Sequence, residues 1–132
     1  MDVTLAVLAD SAIQSADGKL SIIGVFQEIR ARQFPATHPQ CALVLTFRAS
    51  AAEAGEHKRV TVRLMDLDSV RMELDGQFDL PNPYPIPGRP AFINQVFVIQ
   101  GLLLPQAGEY AFHVLVGGEE RVVVPFEAVV TH

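Results

Sequence analysis

Residues 70–80, VRMELDGQFDL, alternate between apolar and polar side chains almost without a break. Val70, Met72, Leu74, Phe78 and Leu80 fall on one side, and Arg71, Glu73, Asp75, Gln77 and Asp79 on the other. A helix would wind both sets around its axis. An extended strand with one dry and one wet face keeps them apart. VTVRLM repeats the pattern with Val60, Val62 and Leu64 inward, and EYAFHVLV with Tyr110, Phe112, Val114 and Val116 inward. VTLAVL, LSIIGVF, ALVLTF, INQVFVIQGLLL and RVVVPFEAVV are apolar on both faces and rich in β-branched residues. The expected fold is all-β: an antiparallel β-sandwich, immunoglobulin-like or C2-like, of about eight strands with little helix. A closed barrel is the less fitting alternative.

The connections are chemically explicit. Asp17-Gly18 closes the first two strands, because glycine reaches positive φ without steric cost. Asp66-Leu67-Asp68-Ser69 separates two alternating strands, and Gly117-Gly118 makes a tight hairpin. SAAEAGEHK reads as a polar loop with room for one helical turn. The longest irregular stretch, LPNPYPIPGRPA, carries Pro81, Pro83, Pro85, Pro87 and Pro90 and reads as a rigid crossover between sheets. Strand-like runs resume on both sides of it, so residues 1–132 read as a single domain.

The 49% hydrophobic fraction and mean hydropathy of +0.25 are high for 132 residues, which points to a partner surface beyond the core. Net charge is −5, with 15 acidic against 10 basic residues, and the one local basic run is His57-Lys58-Arg59. A nucleic-acid footprint needs clustered Lys and Arg, so that class is not expected. One cysteine, Cys41, allows no internal disulfide and fits a reducing compartment. No Lys or Arg precedes Lys19 and Asp10 interrupts the first apolar run, so neither a secretory leader nor a membrane span is read, and the expected location is cytoplasmic.

Candidate sites reduce to structure one after another. Gly18-Lys19 lacks the first glycine, the hydroxyl and the helix of a phosphate loop, which leaves a turn. Asp66 and Asp68 have the D-x-D spacing of calcium-binding loops, but Ca²⁺ wants six to eight oxygens and no second acidic cluster is at hand, Asp10 and Asp17 apart. His38, His57, His113 and His132 share no ligand spacing with one another or with Cys41, and no nucleophile elbow or zinc-protease helix occurs. No cofactor is implied. Tyr84 and Arg89 would be the anchors if the proline segment were a polyproline ligand.

LADSAIQSADGKLSIIGVFQEI and AGEYAFHVLVGGEE resemble a bacterial family of small proteins catalogued only as a domain of unknown function. The shared features are Asp10, Gly18, Lys19, Leu20, Gly24 and Phe26, then Gly108, Tyr110 and Phe112. The resemblance runs over the whole chain and implies a small cytoplasmic β-sandwich. It brings no catalytic or binding residue with it.

The expected function is a non-enzymatic, self-associating interaction module. RVVVPFEAVV presents Val122, Val124, Phe126, Ala128 and Val130 on one face, and Val123, Pro125 and Val129 on the other with only Arg121 and Glu127 as charges. Pro125 lacks an N–H and so points to an edge or a bulge. The second face then becomes the interface of a homodimer, unless the proline segment folds over it. The alternative function is a Ca-dependent or small-ligand-binding sandwich, or an enzyme, built on Asp66 and Asp68.

Overall fold

The computed structural model describes every residue except Asp68. Among the described residues nine strands are formed: β1 (Asp2–Gln14), β2 (Leu20–Val25), β3 (Glu28–Ala31), β4 (Ala36–Ala49), β5 (His57–Met65), β6 (Val70–Asp79), β7 (Ala91–Leu104), β8 (Gly108–Val116) and β9 (Glu119–Val130). One 3₁₀ turn, Ala51–Glu53, is the helical turn foreseen in the polar loop. Sheet A has the order β2-β1-β4-β7 and sheet B the order β3-β9-β8-β5-β6. No helix of the described residues is long and apolar enough to cross a membrane.

The two sheets pack face to face as a β-sandwich. Leu8, Cys41, Leu43, Leu45 and Phe47 of sheet A meet Val62, Leu64, Phe112, Val114 and Phe126 of sheet B in one core. The inward sets read from β5 and β8 are all buried. In β6 the alternation holds from Met72 onward, but Leu74 and Phe78 are half-buried rather than buried, and Val70, read on the inward side, is exposed beside a register shift in β5. The reason is position: β6 is the edge strand of sheet B, so one flank has no neighbour. Phe78 still reaches the core, stacked on Phe47 with ring centroids 5.8 Å apart.

Strand count and direction differ from expectation in one place. The four-residue β3 lies parallel to β9, with Glu28 opposite Glu127 and Ala31 opposite Val130. A strand this short carries little periodicity to read. It makes nine strands instead of eight, and all other pairings are antiparallel.

The second apolar face of β4 also has an explanation within the chain. Ala9, Ala42 and Val44 lie on the side of sheet A away from sheet B, yet each is at most 1% exposed. At the same time Asn94 of β7 donates from Nδ2 to the Gly18 carbonyl at 2.9 Å, while accepting from Thr46 Oγ1 at 2.7 Å. Gly18 is the tip of the β1–β2 hairpin, and β2 and β7 are opposite edges of the sheet. The hairpin must therefore arch across β4 to make this bond. Along it, half-buried Ala12, Leu20 and Ile22 alternate with exposed Ile13 and Ile23. For β1 and β4, two-faced apolar character thus reflects an intramolecular cover and not a partner.

The tip of that hairpin is held as the Asp-Gly pair requires. Gly18 has φ +86°, its amide bonds the Ser15 carbonyl at 2.9 Å, and Asp17 accepts from the Ser15 hydroxyl and from the Lys19 amide. Those bonds, Ser15 first, hold the Asp17 carboxyl below its usual range. The Gly-Lys pair is a turn.

Candidate interaction surface

The proline segment runs from β6 in sheet B to β7 in sheet A, the crossover expected of it. It does not fold over β9. Tyr84 is buried with Ala49, Leu80 and Ala91, and its hydroxyl donates to the Ser50 carbonyl at 2.7 Å. Tyr84 is therefore a packing residue and not an exposed anchor. Ile86 and Phe92 stay about 60% exposed beside Arg89, lining an apolar hollow with Pro81, Pro85 and Pro90.

That leaves the outer face of sheet B open. In strand order β9 is interior, between β8 and β3, so of the edge or bulge that Pro125 suggested, an edge does not hold for the strand as a whole. Locally the proline argument survives. β3 pairs only with Glu127–Val130, so the stretch of β9 at Pro125 has a neighbour on the β8 side alone. The missing N–H of Pro125 leaves no ladder bond broken there.

Register places the outward side chains in rows. Arg63, His113 and Val123 form one row, and Met65, Ala111 and Pro125 the next. Glu109, Glu127 and Glu28 form the third. Val123 is 40% exposed, Pro125 is exposed, and Ala111 and Met65 are half-buried. A shallow groove of about 510 Å³ follows the middle row, with Leu67 and Tyr110 among its walls. Of the three residues assigned to the interface, Val123 and Pro125 adjoin on this stripe. Val129 lies beyond the glutamate row, half-buried beside Arg30 of β3.

The stripe has unlike flanks. Among the described residues neither Glu109 nor Glu127 forms an ion pair, although they are directly opposite each other. Like charges so placed repel and favour a cation from outside. On the other flank Arg63 reaches Glu73 at 3.4 Å, and His113 Nδ1 lies 2.5 Å from Glu120. Met65, Ala111 and Glu109 were not picked out in the sequence, because only the strand register brings them beside Pro125 and Glu127.

The loop acids proposed for calcium are differently engaged. Asp66 Oδ1 accepts from the Ser69 amide at 2.9 Å, and Oδ2 from Arg71 Nε at 2.5 Å. An arginine occupies the place a cation would take. Asp68 lies outside the described residues. Among the described residues, no group of three or more His, Cys, Asp or Glu side chains is placed to hold a metal ion. The Cys41 thiol is buried and pushed up to about 11, by burial first and then by the Asp10 charge. It is protonated at neutral pH and a poor nucleophile.

These features can be set beside known proteins. The model of a family of unknown function, DUF6941, matches residues 4–129. The chain belongs to that family. DUF6941 membership confirms the resemblance read from Asp10, Gly18, Gly24 and Tyr110. Among curated proteins none matches the sequence. Among solved structures, the DUF6941 chain is similar to the Pseudomonas fluorescens alkylpurine DNA glycosylase AlkC bound to DNA containing an abasic site analog. That similarity has a TM-score of 0.54 at 16% identity, over 96% of this chain and 30% of the glycosylase. The β-glucosidase from Listeria innocua in complex with glucose shares 11% identity at a TM-score of 0.44, over 77% of this chain and 14% of that one. The chain thus spans about a third or less of these two solved chains. At these identities the likeness to the glycosylase concerns the fold alone.

Proposed function

We propose that this DUF6941 domain is a non-enzymatic interaction module of the bacterial cytoplasm that associates with itself through the outer face of sheet B. The observation that carries the reading is the uncovered stripe of Val123, Pro125, Ala111 and Met65, between Glu109 and Glu127, outside any ion pair among the described residues, and a row in which Arg63 and His113 are already paired with Glu73 and Glu120. Apolar surface of this kind gains by leaving water. A two-fold axis lying along the stripe sets the row of Glu109 and Glu127 in one copy against the row of Arg63 and His113 in the other. The apolar stripe then meets itself, as a two-fold contact needs, and Glu109 and Glu127 compete with Glu73 and Glu120 for Arg63 and His113. The net charge of −5 and the lone short basic run support a protein partner over the DNA named with the glycosylase.

The test is Val123→Glu. Val123 is 40% exposed in the single chain, so a charge there is tolerated by the fold but unpaired inside the contact. The expected result is a folded protein that no longer associates. Association unchanged by Val123→Glu would overturn this placement. The alternative, a Ca-dependent or small-ligand site at Asp66 and Asp68, predicts instead a calcium-dependent rise in melting temperature.

A further inference from the structure

Four strands end the two sheets, and three of them are protected against pairing with another chain. β3 has four residues, with Glu28 and Arg30 among them. β2 has six and is bent at Gly24, whose φ is +73°. β6 carries Arg71, Glu73, Asp75 and Asp79. β7 differs from all of these. It runs for fourteen residues, AFINQVFVIQGLLL, with no charge and no proline, and its positive-φ glycine, Gly101 at +65°, lies just past the stretch from Asn94 to Gln100. Among the described residues its backbone pairs only with β4, leaving a free row of N–H and C=O groups on the other side. Phe92 at 60% and Val98 at 54% exposure add apolar surface beside that row. Such an edge binds another strand unless something blocks it.

From this we infer that β7 is a second self-association element, pairing antiparallel with β7 of another copy and doubling the four-stranded sheet. The inference rests on the self-association reading but not on the β9 face, which belongs to the other sheet. The strand itself names the occupant. A two-fold axis through Phe97 sets Phe97 opposite the partner's Phe97, Val96 opposite the partner's Val98, and Asn94 opposite the partner's Gln100. From Asn94 to Gln100 the single unlike pair is Gln95 with Ile99. Odd residues meet odd and even meet even, so core-facing side chains stay on the core side of the joined sheet. No charge on either copy meets its like, as it would if β6 paired with itself.

The test is disulfide trapping of the full chain in oxidised glutathione. In the double variant Val96→Cys, Val98→Cys, each new thiol lies directly opposite its counterpart, about 4.5–5.5 Å apart between Cα atoms, within the span of a disulfide. Val98→Cys alone has no thiol opposite it, and the native Cys41 is buried in the folded chain. The expected result is a covalent dimer from the double variant and not from the single one. No covalent dimer, or equal trapping in both, would overturn the register. As a second readout, Val98→Lys at an exposed position lowers the solution mass of the wild-type sequence if β7 pairs, and an unchanged mass overturns the pairing. A protein that associates, loses association with Val123→Glu and fails both β7 tests refutes this inference alone. A wild-type chain that never associates refutes the self-association reading itself.

Discussion

Asp10 lies opposite Gly24 across the β1–β2 pairing, so close that a Cβ added to Gly24 would stand 2.3 Å from the Asp10 Oδ2. This is the point at which the hairpin leaves the plane of sheet A. Gly24 serves twice, by leaving room for the carboxylate and by adopting φ +73°. Gly24→Ala is expected to destabilise by about 1–3 kcal/mol. Asp10→Ala alone should cost little, and the double variant should recover the steric part while the backbone strain remains. A denaturation double-mutant cycle measures the coupling. Simple additivity would show that the two residues do not meet.

Strand phase sets a second expectation. Phe112 is fully buried at the centre of the sandwich, so Phe112→Ala should cost about 3–5 kcal/mol. Leu74 sits on the edge strand and is half-buried, so Leu74→Ala should cost roughly half as much. Gln77→Ala should change stability by less than about 0.5 kcal/mol. Chemical denaturation at fixed pH ranks the three, and equal costs for Leu74 and Gln77 would contradict the register.

The alternating strands β5, β6 and β8 were legible because each has one wet face, and period two is unambiguous when charges mark it. The turns at Asp17-Gly18 and Gly117-Gly118 were legible for the same local reason. What stayed hidden depends on distant partners. Nothing in EIRA announces a parallel strand beside β9, and nothing in VTLAVL or ALVLTF says whether the second apolar face meets another molecule or the chain's own hairpin. The bond from Asn94 to Gly18 decides that, across 76 positions of sequence. For the candidate site, Val123, Pro125 and Glu127 were readable from β9 alone, whereas Met65, Ala111, Glu109 and Glu28 needed the register.

Glu53 gives a pH expectation. Burial works against its charge, but bonds from the N-terminal ammonium and the Ser50 amide, with Lys58 nearby at 3.7 Å, hold its carboxyl below its ordinary value of 4.5. A depressed folded pKa contributes stability above the unfolded value, and that contribution is lost as pH falls through the folded one. Unfolding free energy should therefore decline as pH drops below about 4.5, the unfolded value. Glu53→Gln should flatten part of that decline, while its amide can still reach the Ser50 backbone. An identical slope in both proteins would remove Glu53 from the account.

Calcium offers a direct contrast between the two functional readings. With Asp66 already bonded to Arg71 and to the Ser69 amide, millimolar Ca²⁺ is expected to leave the melting temperature unchanged. Asp66→Ala should cost about 1 kcal/mol by freeing the Ser69 amide. A saturable rise of several degrees with calcium, abolished by Asp66→Ala, would favour the ligand-binding alternative.

Self-association is the central claim, and light scattering across a concentration series tests it most directly. The account predicts a mass at or above twice the 14.4 kDa of one chain, falling when Val123 is replaced by Glu. A strict 14.4 kDa monomer at high micromolar concentration would contradict it.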